Sequence, residues 1–239
     1  MRSLAFKAPR PGEPSPSAED PAQLGFELKY AFDRWSLGVV ESHLAAACRR
    51  DPEHPSNTVV SVYFDTPDLV LLRQKADSLY LKTKLRLRWY RSPGAPPSQA
   101  FWELKRRVGN RRSKRRWPTT LEGAAIERRS FAALASLPMP PDLLAEELPW
   151  PLLPILQVAY RRRRYVDPHG GVRMSCDSAI TAERGHPLLG RSRRGVLAGG
   201  VVEAKGSRAV APPCLQGLFG RLCFRSSFSK YDACYRSLT

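Results

Sequence analysis

From Phe26 onward the chain returns again and again to short alternating segments, and in some, such as FELKY and KLRLRWY, every second residue is apolar and the residues between are charged. Successive side chains of a strand point to opposite faces, so this period of two predicts antiparallel strands. The segments are Phe26 to Tyr30, Thr58 to Phe64, Lys84 to Tyr90, Phe101 to Val108, Arg111 to Trp117, Ile155 to Val166, Gly171 to Asp177 and Gly199 to Lys205. Gly109 and Asn110 can supply the positive φ angles of a tight turn, so the basic segments beside them form a hairpin, and a second hairpin turns at Asp167 to Gly171. Helices are expected between strands at Leu37 to Arg49 after a Ser36 cap, at Asp68 to Lys75, Ile126 to Leu137, Asp142 to Leu148 and Cys214 to Phe224. Asp65 starts a turn and caps the helix that follows. Pro93 to Pro97 and Pro138 to Pro141 are surface loops, and residues 1–22, rich in Pro, Ser and Gly, form a disordered tail. The expectation is one α+β domain over residues 23–239.

The polar sides of these strands are not the mixed surface of an ordinary wet sheet. Glu27 shares a face with Lys29, Arg86 with Arg88, Glu103 with Lys105, and Glu203 with Lys205. Tyr160, Arg162 and Arg164 share another, as do Arg173, Ser175 and Asp177. The opposite sides, Phe26, Leu28, Leu85, Leu87, Trp102, Leu104, Val172, Met174 and Val202, need cover, which the helices supply. If the sheet closes into an antiparallel β-barrel with its helices packed outside, the charged faces converge on a cationic lumen. Arginines and lysines crowded there repel one another, an arrangement that makes sense when a polyanion fills the space. Arg forks and Lys ammonium groups grip phosphate oxygens, and a carboxylate can hold a divalent ion that bridges to phosphate.

Composition agrees. The formal net charge is +17 and the pI about 10.2, so the preferred partners are anions. Apolar runs fall far short of the roughly 20 residues that span a bilayer. The start carries no apolar core of an export signal, and the expected location is the cytoplasm. Cys48, Cys176, Cys214, Cys223 and Cys234 show no CxxC pair or finger-like spacing, which argues against a disulfide framework or structural zinc. His43, His54, His169 and His186 are scattered without catalytic spacing.

In order along the chain, FELKY, SVYFDTPDL, KLRLRWY, FWELKRR with the following SKRR, VAYRRRRYV, VRMSCD, VVEAKG and SFSKY resemble the VTC (vacuolar transporter chaperone) domain. This is the polyphosphate polymerase branch of the triphosphate tunnel metalloenzyme superfamily, and the resemblance runs from about Phe26 to Tyr231. It implies that Lys29, Arg86, Arg88, Lys105, Lys114, Arg162 and Arg173 line a tunnel and bind phosphates. Lys29, Arg86, Arg88, Arg162 and Arg173 are the expected catalytic cations, and Lys105, Lys114, Tyr160, Lys205, Ser229 and Lys230 hold substrate. Glu203 is similar to the metal-ligating glutamate, for Mn²⁺ or Mg²⁺. The superfamily opens with ExExK, whereas Gly25, Glu27 and Lys29 stand here, and loss of the first glutamate disfavours the hydrolytic branches.

The activity so implied is transfer of the ATP γ-phosphoryl group to a growing polyphosphate chain, with ATP and polyphosphate as partners and no specific nucleic acid. A membrane protein that threads the product away is a further candidate partner. The alternatives are a tunnel triphosphatase and a non-catalytic module that binds polyphosphate or nucleic acid. Glu27 and Glu103 are expected to hold neighbouring cations by ion pairs rather than to bind metal, and Asp177 to position Arg173 or another cation. In the basic run from Arg106 to Arg116 only Lys105, just before it, and Lys114 are assigned to the lumen.

Overall fold

The computed structural model describes residues 26–77, 79–92, 94, 98–109, 111–168, 172–187, 194–206 and 210–238. The Pro-rich tail, most of the loop at 93–97, Asn110, and the turn at 169–171 with His169 lie outside the described residues.

The alternating segments form one sheet. In chain order its strands are β1 (Phe26–Asp33), β2 (Arg49–Arg50), β3 (Ser56–Asp65), β4 (Leu81–Arg91), β5 (Gln99–Val108), β6 (Arg111–Glu122), β7 (Leu153–Val166), β8 (Arg173–Gly185), β9 (Gly195–Val196), β10 (Gly199–Gly206) and β11 (Phe224–Arg225). The spatial order is β11-β1-β10-β8-β7-β3-β4-β5-β6, with β2 added to β7 and β9 to β8, and the ladders are antiparallel. The α-helices are α1 (Leu37–Ala47), α2 (Val70–Ala76), α3 (Gly123–Glu127), α4 (Pro141–Leu144) and α5 (Lys230–Arg236). The architecture is α+β and dominated by the sheet.

The ladder does not close, since among the described residues no backbone pairing joins β6 to β1 or β11. The sheet nevertheless curls until its ends face each other: Arg112 Nη1 of β6 lies 3.6 Å from Glu27 Oε2 of β1. Side chains, not peptide hydrogen bonds, meet across this seam.

Two apolar cores cover the outer face. Val60, Val62, Phe64, Leu85, Leu87, Trp89, Trp102 and Leu104 pack under Ile126 of α3, Leu134 of the 3-10 turn Ala132–Ser136 and Leu143 of α4. Leu28, Tyr30, Phe32, Met174, Cys176, Val202 and Ala204 pack under Val40 and Leu44 of α1 and under Leu215 and Leu218 of a second 3-10 helix, Pro213–Leu218. Burial of one Leu- or Phe-sized side chain contributes about 1.5–3 kcal/mol, so these faces fix which side of each strand turns outward.

The third core corrects the expectation that the helices all pack outside. Tyr231, Cys234 and Leu238, in and just after α5, pack with Val59, Tyr63, Tyr160, Ile180 and Val201. Val59 and Tyr63 alternate with the outward Val60 and Val62, so α5 lies against the inner, charged side of the sheet. Tyr231 stacks on Tyr63 with ring centroids 4.6 Å apart. The helix is only seven residues long, and its apolar residues Tyr231 and Cys234, with Leu238 just after it, recur at helical spacing over too short a stretch to stand out; its contacts hold it in place.

Other helix expectations also change. Ser36 makes no side-chain cap to α1; its N–H and Oγ–H both donate to Asp33 Oδ1, each at 2.8 Å. The helix stops at Ala47 because Arg49–Arg50 pair with β7 as β2. The segment expected as one helix from Ile126 to Leu137 divides into α3 and a 3-10 turn, and that from Cys214 to Phe224 gives a 3-10 helix followed by β11. Asp65 behaves as expected: Oδ1 accepts from the N–H groups of Thr66 and Leu71, and Oδ2 from Leu72, which caps α2. All five cysteines are free thiols.

Candidate active site

The inner face is built in rows, because antiparallel register places alternate residues of neighbouring strands side by side. Arg86 of β4 stands opposite Glu103 of β5, which stands opposite Arg116 of β6. Glu103 is fully buried. Its Oε2 accepts from Arg86 Nε at 2.8 Å and Nη2 at 2.6 Å, and its Oε1 accepts from Arg116 Nε at 3.0 Å and Nη2 at 2.6 Å. Arg88 Nη1 and Lys114 Nζ each lie 3.6 Å from the same carboxylate. Burial works to raise the Glu103 pKa, but Arg86, Arg88, Lys114 and Lys105 outweigh it and hold the group far below its ordinary value. As expected from the sequence, Glu103 is an organiser of cations.

A second cluster joins β7, β8, β10 and α5. Arg162 forks onto Asp177, Nε to Oδ1 and Nη2 to Oδ2, both at 2.6 Å, and Nη2 also donates to Glu203 Oε2 at 3.2 Å. Lys230 lies 2.6 Å from Asp177 Oδ2 and 2.9 Å from Glu203 Oε1. Asp177 therefore positions Arg162 and Lys230, not Arg173. Lys29 Nζ lies 3.9 Å from Glu203 and donates to the Phe228 carbonyl at 3.1 Å. Burial opposes ionisation of Glu203, yet Lys230, Lys29, Arg162 and Lys205 together keep its pKa well below the usual carboxylate range. Tyr160 is buried on this face, with Lys230 Nζ 4.7 Å and the Arg162 guanidinium 5.4 Å from its ring centre. Burial pushes its phenol pKa up, but Arg162, Arg88 and Lys230 overcome that and draw it below its ordinary value.

The lowered pKa values of Glu103 and Glu203 make an acid-lability prediction. Both folded values lie below the ordinary 4.5, so the stability these groups supply is complete above that pH and is lost as pH falls from there toward the folded values. Denaturant midpoints are expected to drop between about pH 6 and about pH 3, with a shallower slope in Glu103→Gln. An equal slope in the variant would show that Glu103 contributes nothing to it.

Lys84, Lys105 and Lys114 form the next row, in register on β4, β5 and β6. Lys84 Nζ donates to Ser229 Oγ at 2.9 Å, and Ser229 is itself the N-cap of α5, its Oγ accepting from Asp232 N–H. Neither Lys84 nor Lys105 is ion-paired by any carboxylate among the described residues. Burial first, then neighbouring cations, lowers the pKa of both, that of Lys84 to about 7. Arg173 and Lys205 are opposite one another and exposed, with Lys205 in turn opposite Glu27. Arg173 shares the inner face but sits four residues along β8 from Asp177, about 13 Å at ordinary strand rise.

The structure thus gathers Lys29, Arg86, Arg88, Lys105, Lys114, Tyr160, Arg162, Glu203, Ser229 and Lys230 on one concave surface, with Arg173 and Lys205 toward a strand end. Sequence reasoning missed Lys84, Arg112 and Arg116. One more step of two along the same strands, from Arg86 and from Lys114, would have found them. A cavity of about 250 Å³ lined by Leu87, Trp102, Leu137 and Met139 holds no charged group and opens on the outer side.

Among the described residues no group of three or more His, Cys, Asp or Glu could enclose a metal ion. Both oxygens of Glu203 are engaged, Oε1 by Lys230 and Oε2 by Arg162, so to hold Mg²⁺ or a similar ion together with phosphate oxygens and water this carboxylate would have to release one of them.

Among solved structures, the chain is similar to a putative adenylate cyclase from Bacillus halodurans, with 16% identity over 76% of this chain and 80% of that one and a TM-score of 0.47. It is similar also to a protein of Pyrococcus horikoshii, with 12% identity over 89% and 90% and a TM-score of 0.44. A putative adenylate cyclase from Vibrio parahaemolyticus gives 14% identity over 88% and 83%, with a TM-score of 0.40. No curated protein matches the chain. The profile of the VTC domain matches residues 26–239, which is the whole of the described sheet and its helices. The chain belongs to the VTC domain family.

Proposed function

We propose that this protein is a metal-dependent polyphosphate polymerase that transfers the γ-phosphoryl group of ATP to the end of a polyphosphate chain held on the inner face, within a tunnel that the curled sheet and its side-chain seam enclose. The observation that carries this reading is that the carboxylates on that face are already paired. Glu103 is committed to Arg86 and Arg116, Asp177 to Arg162 and Lys230, Glu203 to Lys230 and Arg162, and Glu27 to Lys29 and Arg112. A hydrolase needs a base free to take a proton from water. A terminal phosphate oxygen is already an anionic nucleophile and needs none.

In this reaction that oxygen bonds to the γ-phosphorus as the bond from it to the β–γ bridging oxygen breaks, and ADP leaves. The chain's own part is to align the two phosphates and neutralise charge on the equatorial oxygens, and a surface of forked arginines and lysines does both. Lys29, Arg86, Arg88, Arg162 and Arg173 are the proposed catalytic cations, with Lys105, Lys114, Tyr160, Lys205, Ser229 and Lys230 as phosphate contacts. Glu203 would hold Mn²⁺ or Mg²⁺, which supplies further neutralisation of phosphate charge. No described helix is long and apolar enough to cross a membrane. We place the reaction in the cytoplasm, with a membrane protein as candidate acceptor of the product.

Incubation with ATP and Mn²⁺ or Mg²⁺, resolved on a gel, is expected to give a polyphosphate ladder that disappears without metal and in Glu203→Gln and Lys29→Ala. Orthophosphate without polymer would replace this reading by a tunnel triphosphatase.

A further inference from the structure

We propose that Lys84 and Ser229 form an anion subsite that takes up a proton when a substrate phosphate settles on it. The inference rests on the reading that the inner face binds triphosphates. It starts from an imbalance of partners. Arg86, Arg116 and Arg162 are each matched by a buried carboxylate, whereas Lys84 has only the neutral Ser229 hydroxyl, 2.9 Å away. The charged groups that face Lys84 are cations from every side: Lys29 of β1, Arg86 of its own strand, Lys75 of α2 and Lys230 of α5, with Lys105 opposite it on β5. Recessed among them, the ammonium is disfavoured first by burial and then by repulsion, so its pKa falls to about 7 and roughly half the molecules carry it neutral near that pH.

A phosphate oxygen reaching this spot reverses the balance, because an anion beside the amine favours its charged form. Ser229 is fixed as the N-cap of α5 and offers its hydroxyl to the same oxygen. Phosphate affinity, proton uptake and the seating of α5 are then linked through two side chains.

The test is calorimetric titration of inorganic triphosphate into the full chain, in two buffers of different ionisation enthalpy, on the native protein, Lys84→Arg and Lys84→Met. Arginine stays charged, so the uptake by the native protein should exceed that of Lys84→Arg by about half a proton near pH 7, and by less near pH 5.5. Any uptake left in Lys84→Arg belongs to other groups such as Lys105 or to the ligand. Lys84→Met should bind about tenfold or more weakly near pH 6, where the native amine is charged. It should fold normally, since it removes a repelled charge. Equal uptake in native protein and Lys84→Arg, or unchanged affinity in Lys84→Met near pH 6, overturns the subsite. Absence of triphosphate binding to the native protein would instead overturn the reading of the inner face itself.

Discussion

A Glu103→Ala protein is expected to lose about 3–5 kcal/mol of stability, the usual cost of stripping one partner from a buried ion pair. The carboxylate is fully buried and is forked by Arg86 on one oxygen and Arg116 on the other. Removing it leaves two guanidinium groups, with Arg88 and Lys114 nearby, facing one another without a counter-ion. For a chain of this size the loss corresponds to a fall in Tm of roughly 10 °C. The same argument says what should reverse it. Triphosphate binds only the folded state, so at about a hundred times its Kd it adds about 2.7 kcal/mol to a protein that binds it. In the variant it also replaces the missing negative charge, so its stabilisation there should exceed that of the native protein. Thermal melts of both proteins with and without triphosphate decide this. A loss below about 1 kcal/mol would show that the arginines find solvent or another partner, and the cluster would then not organise the face.

Much of this face was legible in the sequence because a strand's alternation is rigid. Once Leu85 and Leu87 must turn outward, Arg86 and Arg88 must turn inward, and the register then brings Glu103 and Arg116 beside them. Two things broke the pattern. In β8 the sequence places Arg173, Ser175 and Asp177 on one side, and continuing the step of two would put Ala179 there. Instead the ladder with β7 shifts register, Ala179 takes a left-handed φ of 49°, and Ile180 turns inward to pack with Tyr231. Nothing in SCDSAIT announces that bulge, since a left-handed alanine is held by its surroundings and not by its own preference. The other is α5. Lys230 was named only by resemblance; its place between Asp177 and Glu203 follows from Tyr231 docking on Tyr63 and Tyr231 Oη donating to Asp65, contacts between residues far apart in the chain. The seam between β6 and β1 is of the same kind, a meeting of side chains that no local pattern records.

Arg88→Ala is expected to lower turnover by about a thousandfold or more, with a smaller loss of stability than Arg86→Ala. Arg88 is held differently from its neighbour two residues before it. Its Nε donates to Ser61 Oγ at 3.1 Å and its Nη2 to Tyr160 Oη at 3.2 Å, and its nearest carboxylate oxygen, on Glu103, is 3.6 Å from Nη1. Hydroxyls fix the plane of the guanidinium without cancelling its charge, so the fork is already aimed when a phosphoryl group arrives. Arg86, by contrast, spends both Nε and Nη2 on Glu103. Removing Arg86 should therefore cost stability as well as activity, and the double replacement of both arginines would confuse the two effects. Lys at position 88 keeps a charge but not the fork, and its turnover should fall between native and alanine proteins. Rates of ATP consumption, read beside thermal melts of the same samples, separate these outcomes. Activity of Arg88→Ala within a few-fold of native would remove Arg88 from the transferring phosphoryl group. If Arg86→Ala lost activity with no loss of Tm, the division of labour along β4 would fail, and the buried pair with Glu103 would be part of the chemistry and not its scaffold.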